Sequence, residues 1–375
     1  MNNHKKILLV SFSSIKFDGR LRELIKVCQE LGDCTYITHD EQIESEFHLA
    51  YDNQKGSYLN FIKYCLQKTK NIKDFDIILA DNRRSLFPAL KIFKRQNNAK
   101  FIIDARELYL PKDMQSFVSK FGSLLEKWIN PKADIIIAAN QERADIMQEY
   151  YRLKNEPIVF ENVRSLDYPL NYKKINQEII PKNILDSLKE PKLKLISTSG
   201  CSISRTNDVL VNAVANFQYK VNLYLVGAYG TEDVDSIKQL ISKLKLNNVY
   251  IIDKNLNEGN LKELIQLCDV GIVNYHMKDT NNLYCASGKI YEFLSENKPV
   301  ITTENPPLLN MVNKYQIGVA DNYYSNAISK LINNYEFYQN NVINQNFRDK
   351  VAANNDHLVN EINKTLNLID EITDK

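Results

Sequence analysis

The sequence predicts an α/β protein with two doubly wound domains. The chain has 375 residues, which is long for a single core and suits two domains of ordinary size. Short β-branched runs alternate with segments of helical period, as in parallel sheets covered by helices on both faces. This alternation stops between Ser165 and Pro191 and then begins again, which divides the chain into two series.

The first series covers residues 1–165 and is predicted to form the N-terminal domain. Between its first two strands lies a helix whose apolar residues, from Leu21 to Leu31, form one stripe suited to packing on a sheet. Its candidate strands are Ile7–Ser11, Cys34–Thr38, Ile77–Ala80, Phe101–Asp104, Asp134–Ala138 and Ile158–Phe160.

Residues 166–191 are predicted to be an interdomain linker, because three prolines fall among polar residues without a sustained period. The second series covers residues 192–350 and is predicted to form the C-terminal domain. Residues 351–375 form an amphipathic helix that either closes this domain or crosses back to the first. The candidate strands of the second series are Leu193–Ser197, Val221–Val226, Val249–Ile252, Val270–Asn274 and Val300–Thr303, with helices around Asp208–Phe217, Val234–Leu244, Leu261–Cys268 and Lys289–Leu294.

Two doubly wound, Rossmann-like domains also predict where a ligand binds. Sheets of this kind bind ligands at the carboxyl ends of their parallel strands. If the two domains face each other across a cleft, those ends meet in the cleft, and we expect the functional site there.

The composition excludes several classes of partner and location. Lys plus Arg (48) nearly balances Asp plus Glu (46), and the net charge of +2 gives no global attraction to nucleic acid. The apolar run Ile7–Phe12 is too short for a signal peptide, and no window has the roughly 18 to 20 apolar residues of a membrane span. The six cysteines form no C-x-x-C pair and mostly lie in apolar periodic segments. We therefore expect a cytoplasmic protein with reduced thiols.

The most informative stretch is Leu283–Leu308, with the sequence LYCASGKIYEFLSENKPVITTENPPL. Ser287 and Gly288 lead into a helix that begins near Lys289, where free backbone N–H groups, the positive helix end and an ammonium group suit a diphosphate. Glu292 lies on the same side of this helix, where its carboxylate can accept hydrogen bonds from the hydroxyls of a ribose. On spacing alone, an exposed Lys–Glu helix pair is the alternative.

A second anion site is predicted in ISTSGCSISRTNDVL, residues 196–210. A strand ends there at Ser199 and Gly200, and the following loop brings Arg205 to the start of a helix. The glycine allows phosphate oxygens to approach the backbone while the guanidinium binds them. A plain glycine turn is the alternative. The nearby stretch LVGAYG, which contains Gly227, either approaches a nucleotide base or forms an ordinary turn.

Charged residues also follow the first predicted strand of the N-terminal domain. Asp18, Gly19 and Arg20 stand at the start of the first helix. They lack the G-x-G-x-x-G spacing of a dehydrogenase dinucleotide site. A helix N-cap at Asp18 followed by a glycine turn is the alternative to a binding role.

A further group of charges lies in the stretch FIIDARELYLP, where a predicted strand ends in Asp104, followed by Arg106 and Glu107. Charged residues on an otherwise apolar strand are not required for packing. We therefore expect these three side chains to line the acceptor side of the cleft.

No metal site is predicted, because the five histidines lack neighbouring ligands at metal-binding spacing. The helix Phe117–Trp128 combines an apolar stripe, including Phe121, Leu124 and Leu125, with lysines. This pattern favours a place in the core. Contact with a membrane or a lipid-linked acceptor is the alternative.

Taken together, these stretches resemble the large family of retaining nucleotide-sugar glycosyltransferases that are similar to glycosyltransferase family 4. Members have a fold of two Rossmann-like domains called GT-B, and bacterial members build surface polysaccharides. The resemblance covers nearly the whole chain. The most specific match is GKIYEFLSENKPVITT, and the others are FDGRLRELIKVCQELG, FIIDARELYLP and GCSISRTNDVLVNAV.

The resemblance implies an enzyme that uses a UDP- or GDP-sugar as its substrate and needs no metal or other cofactor. Arg205 and Lys289 would neutralise the diphosphate, and Glu292 would hold the ribose. Retention would follow from front-face attack, in which the departing phosphate oxygen helps to deprotonate the acceptor hydroxyl. Further donor-binding residues implied by the motifs are Gly200, Cys201, Ser202, Gly227, Tyr284, Ser287 and Gly288, and acceptor-side residues are Asp18, Gly19, Arg20, Asp104, Arg106 and Glu107.

The sequence departs from the family pattern at several positions. The first of the two glutamates that the family often has is replaced by Tyr284, and the usual histidine of the D-A-H-E segment is Arg106. In the donor-phosphate loop, Cys201 stands where many members have arginine, and Thr206 where a second glycine often lies.

The expected function is transfer of a sugar from a nucleoside-diphosphate sugar to a glycan or lipid-linked acceptor during synthesis of cell-surface polysaccharide. Two alternatives from other classes are a non-catalytic, glycosyltransferase-like partner that binds glycan, and a nucleotide-sugar epimerase on the same fold. The expected location is the cytoplasm. A peripheral location at the inner face of the membrane is the alternative.

Overall fold

The computed structural model describes residues 5–40, 45–52, 57–163, 174–228 and 230–373. The chain divides into two compact units. The first unit is Met1–Val163 with Ala352–Lys375, and the second is Arg164–Val351.

The first unit is built on a parallel sheet. Its strands are β1 (Lys5–Ser11), β2 (Gly32–Thr38), β3 (His48–Ala50), β4 (Ile77–Asp81), β5 (Lys100–Ala105), β6 (Ile135–Ala138) and β7 (Ile158–Val159). In the described residues they form a seven-stranded sheet in the order β3-β2-β1-β4-β5-β6-β7. The strands are mainly Ile, Leu, Val and Ala because both faces of a parallel sheet are buried.

The helices of this part of the chain begin at side chains that cap them. The helices are α1 (Gly19–Leu31), α2 (Tyr58–Lys68), α3 (Arg83–Phe93), α4 (Phe117–Ile129) and α5 (Gln141–Tyr151). At each N-terminus an Asp, Ser or Asn side chain accepts a hydrogen bond from a backbone N–H that has no partner within the helix. The capping residues are Asp18, Ser57, Asn82, Ser116 and Asn140.

The second unit repeats the parallel architecture. Its strands are β8 (Leu193–Ser197), β9 (Val221–Val226), β10 (Val249–Ile252), β11 (Val270–Val273), β12 (Val300–Thr302) and β13 (Gly318–Ala320). Among the described residues they form a six-stranded sheet in the order β10-β9-β8-β11-β12-β13.

The helices of the remaining chain mostly connect these strands. They are α6 (Lys182–Ser187), α7 (Asn207–Val214), α8 (Thr231–Lys243), α9 (Glu258–Leu267), α10 (Thr280–Leu283), α11 (Gly288–Ser295), α12 (Pro306–Tyr315), α13 (Tyr324–Asn333), α14 (Tyr335–Gln345) and α15 (Lys350–Thr373).

The last helix, α15, packs in the first unit. Leu358, Ile362 and Leu366 are buried in the same apolar cluster as Leu21 and Leu24 of α1. Polar contacts flank this cluster, since the Asn355 amide donates to Glu23 at 2.8 Å and Lys5 donates to Asn363 at 3.0 Å. The first unit therefore needs α15, which follows the whole of the second unit in the sequence, to complete its core.

The prediction of an α/β fold with two doubly wound domains is confirmed, and every strand predicted from the sequence is present. Two three-residue strands, β3 and β13, were not predicted. Helix α6 was also not predicted and lies within the stretch interpreted as a linker, where Ile184 is buried and the Ser187 hydroxyl contacts the Tyr224 hydroxyl at 3.0 Å. Residues 164–173 of that stretch lie outside the described residues.

Both sheets change their winding direction next to their first strand. In the first unit β4 pairs with β1 on the side opposite β2, and in the second unit β11 pairs with β8 on the side opposite β9. The connections that leave the carboxyl ends of the two neighbouring strands then run to opposite faces of the sheet, which opens a crevice between them. The two candidate sites described below lie at these positions.

We expect Ile362→Ala in α15 to destabilise the first unit by roughly 2–5 kcal/mol, because it removes a fully buried side chain from the core. The single tryptophan, Trp128, belongs to this unit, so urea unfolding followed by its fluorescence reports the change. Leu368→Ala, at an exposed position of the same helix, is the control and should alter stability by less than about 0.5 kcal/mol. Equal effects of the two substitutions would contradict the packing of α15.

Candidate functional site

The loop that follows β8 contains the first predicted anion-binding residues. Gly200 has a φ of 59°, and its N–H donates to the Val226 carbonyl at 2.9 Å. Gly227, in the loop after β9, has a φ of 128°, and a Cβ added there would lie 3.5 Å from the Gly200 nitrogen. Glycine is needed at both positions because side chains are disfavoured at these backbone angles. The two loops can therefore lie directly against each other.

A buried polar network fixes the ends of β8 and β11. The Asn207 amide donates to the Ser199 hydroxyl at 3.0 Å and to the Gly200 carbonyl at 2.9 Å. The Asn274 amide, directly after β11, donates to the Asn207 side-chain oxygen at 3.0 Å, and Ser197 contacts Ser199 at 2.8 Å. All four side chains are buried, so the network holds the loop after β8 in one conformation. Sequence analysis missed the roles of Asn207 and Asn274.

Arg205 lies at the end of a short 3₁₀ turn, Ile203–Arg205, just before α7. Its guanidinium stacks on the Tyr275 ring, 3.9 Å from the ring centroid. The Nη1 atom is buried and has no hydrogen-bond partner among the described residues. A buried donor that lacks a partner is costly, so this arrangement favours an acceptor from a bound molecule.

Lys289 connects the start of α11 to the loop after β8. Its ammonium donates to the Thr198 carbonyl at 2.7 Å. The N-cap residue Ser287 makes no capping hydrogen bond, and its hydroxyl and that of Thr198 are buried without a partner within the described ranges. The structure thus brings the two predicted anion sites to the ends of the neighbouring strands β8 and β11.

Glu292 lies one turn after Lys289 on α11 and is only 3% exposed. A solvent-exposed Lys–Glu helix pair, the alternative that spacing left open, does not fit this burial. Hydrogen bonds between side chains and backbone also hold the segment that connects β11 to α11. The Asn305 amide donates to the Asn282 carbonyl at 2.8 Å, and the Thr303 hydroxyl accepts a hydrogen bond from the Tyr275 N–H at 3.1 Å.

Three other predicted donor-side residues have different surroundings. The Cys201 side chain packs in the apolar cluster with Leu195 and Leu210, and burial raises the pKa of its thiol to about 11. Ser202 is buried and contacts the Ser204 hydroxyl at 2.9 Å. Tyr284 follows α10 and is half-buried. A binding role for Cys201 is therefore limited to its backbone.

In the first unit, the charged residues cluster at the carboxyl ends of β4 and β5. Arg106 donates to Asp18 at 2.6 Å and to Asp81, and its Nε lies 3.8 Å from Asp104. Asp81, which ends β4, also accepts a hydrogen bond from the Ser11 hydroxyl at 2.6 Å. Sequence analysis missed Asp81, although a carboxylate that ends an apolar strand gave the same signal as Asp104.

The expectation that charges on β5 are not needed for packing is wrong for Asp104. Asp104 is fully buried and accepts two hydrogen bonds from Arg20, at 2.8 and 2.6 Å. Arg20 is also buried and donates to the Phe160 carbonyl at 2.7 Å. This pair links α1 to β5 and to the residue after β7, because a buried carboxylate needs a charged partner. The role of both residues in acceptor binding stays a prediction.

Asp18 has the capping role that the sequence left as an alternative, since it accepts a hydrogen bond from the Leu21 N–H at 3.1 Å and Gly19 then begins α1. It also binds Arg106 through its second carboxylate oxygen. Glu107 lies 3.6 Å from the buried Arg143, which donates to the Arg106 carbonyl.

The cluster perturbs the pKa values of its carboxyl groups in opposite directions. Burial alone would raise the pKa of Asp18, but neighbouring Arg106 holds it below its ordinary value. For Asp81, burial raises the pKa above its ordinary value although Arg106 opposes the shift. Burial would lower the pKa of Arg106, but Asp81 and Asp18 raise it, so the guanidinium stays charged.

Neither a metal-binding cluster nor a membrane-spanning helix is present in the described residues. The described ranges contain no group of three or more His, Cys, Asp or Glu side chains that could hold a metal ion. Within the same ranges, no helix is both long and apolar enough to cross a bilayer. All six cysteines lie in the described ranges, where their thiols are buried and form no disulfide.

Comparison with known proteins gives one relative by sequence and several solved structures with a similar fold. No protein-family model matches the chain. A relative from Methanocaldococcus jannaschii, named uncharacterized glycosyltransferase MJ1059, is 25% identical over 330 residues, which cover 81% of this chain and 76% of the relative.

Solved structures are similar over almost the whole chain. Sucrose-phosphate synthase (tll1590) from Thermosynechococcus elongatus has a TM-score of 0.71 and 15% identity, covering 98% of this chain and 100% of its own. Anabaena Alr3699/HepE in complex with UDP and glucose has a TM-score of 0.70 and 15% identity, covering 96% and 100%. The chain therefore has a two-domain α/β fold of the GT-B type, and the predicted likeness to GT-B glycosyltransferases is confirmed.

We expect Arg106→Ala to destabilise the first unit by about 3–5 kcal/mol near neutral pH, because it leaves the buried Asp81 carboxylate without a cation. The loss should shrink as the pH falls. Asp81 has a raised pKa and becomes neutral first as the pH falls. Asp18 keeps its charge over this range, because a carboxyl with a lowered pKa loses its stabilising effect only as the pH falls through its pKa in the folded state. Urea unfolding at about pH 7.5 and about pH 5 measures both effects.

The exposed Arg84→Ala is the matched control and should show little change at either pH. If Arg106→Ala lowers the free energy of unfolding by the same amount at both pH values, the stability of the cluster does not depend on carboxylate charge.

Proposed function

We propose that this protein is a glycosyltransferase that moves a sugar from a nucleoside-diphosphate sugar to a glycan or lipid-linked acceptor in cell-surface polysaccharide synthesis. The observation that carries the proposal is the pair of cations, Arg205 and Lys289, held at the ends of the neighbouring strands β8 and β11. The site lies where ligands of doubly wound sheets bind.

The groups around these cations match the needs of a diphosphate. Arg205 supplies a guanidinium whose Nη1 donor has no partner in the described structure. The Ser287 and Thr198 hydroxyls are buried, likewise without partners in the described part of the chain. The start of α11 adds backbone N–H groups and the positive end of the helix dipole. Phosphate oxygens would satisfy all of these donors at once.

Glu292 is the proposed ribose ligand. It is buried on α11, one turn beyond the residues proposed to bind phosphate. A carboxylate accepts two hydrogen bonds from vicinal hydroxyls and excludes a phosphate from the same position by charge. Its place would therefore set the direction in which the nucleotide lies.

The proposed chemistry uses these residues to stabilise the leaving group. As the glycosidic bond to phosphate breaks, negative charge develops on the diphosphate, and Arg205 and Lys289 stabilise that charge in place of a metal ion. The acceptor hydroxyl attacks from the side that the diphosphate leaves, and the departing oxygen takes its proton. The configuration at the sugar is then retained, and the protein needs no nucleophile of its own.

The comparisons support the proposed class of enzyme and suggest which donor to test first. The similar HepE structure holds UDP and glucose, and the archaeal relative carries the name of a glycosyltransferase. We therefore propose UDP-sugars before GDP-sugars as donors, and we place the reaction in the cytoplasm.

Two departures from the family pattern favour a second candidate, a non-catalytic partner that retains the fold. Tyr284 cannot supply the charge of a carboxylate to the sugar. Arg106, in place of a histidine, has its guanidinium engaged by Asp18 and Asp81. A protein of this second kind would turn over no donor, so the two candidates are separated by activity and by nucleotide binding.

We expect Arg205→Ala and Lys289→Ala each to weaken binding of UDP by about 1.5–3 kcal/mol, as is usual for the loss of a charge-assisted contact to phosphate. Isothermal titration calorimetry with UDP and with uridine separates the phosphate contribution from that of the base. Lys278→Ala, which removes an exposed lysine from the same unit, is the control and should bind UDP normally. If UDP binds no more tightly than uridine, these cations do not form a diphosphate site.

We expect the purified protein to hydrolyse or transfer the sugar of at least one UDP- or GDP-sugar in the presence of EDTA. Nuclear magnetic resonance of the first product formed would show the same anomeric configuration as the donor. Formation of an epimeric nucleotide sugar without acceptor would identify an epimerase. Nucleotide binding without any turnover, or no nucleotide binding, would instead favour the non-catalytic candidate.

A further inference from the structure

Helix α4 has its apolar side chains on the outside. Phe117, Val118, Phe121, Leu124 and Trp128 are between 53% and 84% exposed. Four of them follow the spacing i, i+4, i+7 and i+11, which forms one stripe along the helix. The sequence pattern favoured a place for this helix's apolar stripe in the core, and that expectation is wrong for these five side chains, whereas Leu125 packs against the core. A contiguous apolar surface of this kind marks a site of contact with another molecule or a membrane.

The inward side of α4 packs Ile129 and Leu125 on the core, and its polar residues are held by specific contacts. The Ser123 hydroxyl donates to the Tyr109 carbonyl, and buried Glu126 accepts two hydrogen bonds from Arg83 at 2.8 and 2.5 Å. A Cβ added at Gly122 would lie 3.3 Å from the Arg83 side chain, so α4 and Arg83 pack closely. Turning the apolar stripe inward would separate Glu126 from Arg83. The largely buried Arg83 guanidinium would then lack its carboxylate partner, which is costly. The outward orientation is therefore fixed by the fold.

The charges around the stripe are almost all positive. Of the two carboxylates between residues 112 and 132, Glu126 is buried against Arg83 and Asp113 is half-buried. The same segment has four exposed lysines, and they lie on and beside α4. These lysines are Lys112, Lys120, Lys127 and Lys132.

We propose that α4 binds the surface of a membrane that contains anionic lipids. The aromatic and aliphatic stripe would enter the boundary between headgroups and acyl chains, and the lysines would contact the lipid phosphates. Long lysine side chains can lie along the apolar surface while their ammonium groups reach the headgroups. This proposal rests on the surface of α4 and not on the proposed transferase activity, although a lipid-linked acceptor would be reached at such a membrane.

The complementarity of charge favours a lipid surface over a protein partner. Residues 112–132 combine a net positive charge with one narrow stripe of apolar side chains on α4. Helices that lie in a membrane interface have this pattern. A second copy of this chain would place the same lysines against each other and would be opposed by repulsion.

The single tryptophan makes the proposal directly testable, because Trp128 lies in the stripe itself. We expect its fluorescence emission to shift to shorter wavelength when the full-length protein is mixed with vesicles of phosphatidylcholine and phosphatidylglycerol in equal amounts. Vesicles of phosphatidylcholine alone should give a much smaller shift. An unchanged Trp128 emission with the mixed vesicles would overturn the proposal.

Two double variants separate the apolar and the ionic contributions in a vesicle sedimentation assay. We expect Phe117→Ser with Phe121→Ser, and separately Lys120→Glu with Lys127→Glu, to lower the affinity for mixed vesicles by about tenfold or more. All four positions are exposed, so folding is not expected to change. Leu59→Ser, at an exposed apolar position on α2, is the control and should bind vesicles like the unaltered protein.

Equal binding by both double variants and the control would overturn the assignment to α4. A shift of the Trp128 emission that depends on protein concentration and occurs without vesicles would show that a second copy covers the stripe, which also overturns the proposal. Titration of the same variants with UDP shows separately whether the proposed donor site is intact. Failure of one proposal can therefore be distinguished from failure of the other.

Discussion

The adjacency of β8 and β11 is the constraint on which the candidate donor site depends. These strands are far apart in sequence, and they become neighbours only because the sheet reverses its winding after β10. Their adjacency lets the Lys289 ammonium reach the Thr198 carbonyl and lets Arg205 stack on Tyr275. Arg205 and Lys289, which are far apart in sequence, are thus both tied to the ends of these two strands, where a network of buried amides and hydroxyls fixes the backbone.

The two units use the same winding for different electrostatic purposes. In the first unit, the crevice between β1 and β4 is occupied by the protein's own ion pairs, with Arg106 among three carboxylates. In the second unit, cationic and hydroxyl donors have unsatisfied hydrogen-bonding capacity in the described structure. The first arrangement pairs its own charges, whereas the second contains the buried donors on which the proposed anion site depends. The fold alone therefore does not define a site, and the residues at each strand end do.

The sequence was sufficient to predict the two α/β series, because long strands and helices with a clear period leave a strong pattern. It did not predict β3 and β13, because these short strands contain almost none of the β-branched residues that indicate the equally short β7 and β12. The places of Arg205 and Lys289 were also predicted, because Arg205 lies between a strand and a helix and Lys289 lies at the start of a helix. Their roles in binding stay predictions. The partnership of Arg106 with Asp81 was not predicted, because it depends on residues from separate strands that only the folded sheet brings together. The outward stripe of α4 was misassigned because periodicity shows that a helix has two faces and does not show which one is buried.

The polypeptide begins in the first unit, passes through the whole of the second, and returns to the first in α15. This order has a consequence for how the protein is made. Leu358, Ile362 and Leu366 leave the ribosome after the whole of the second unit, so the sheet of the first unit waits for this covering helix while the inserted unit is synthesised and can already fold. During that interval the uncovered apolar surface near α1 is open to chaperones and to aggregation, and a messenger truncated before the codons of α15 would yield a molecule with an intact second unit and an incomplete first one.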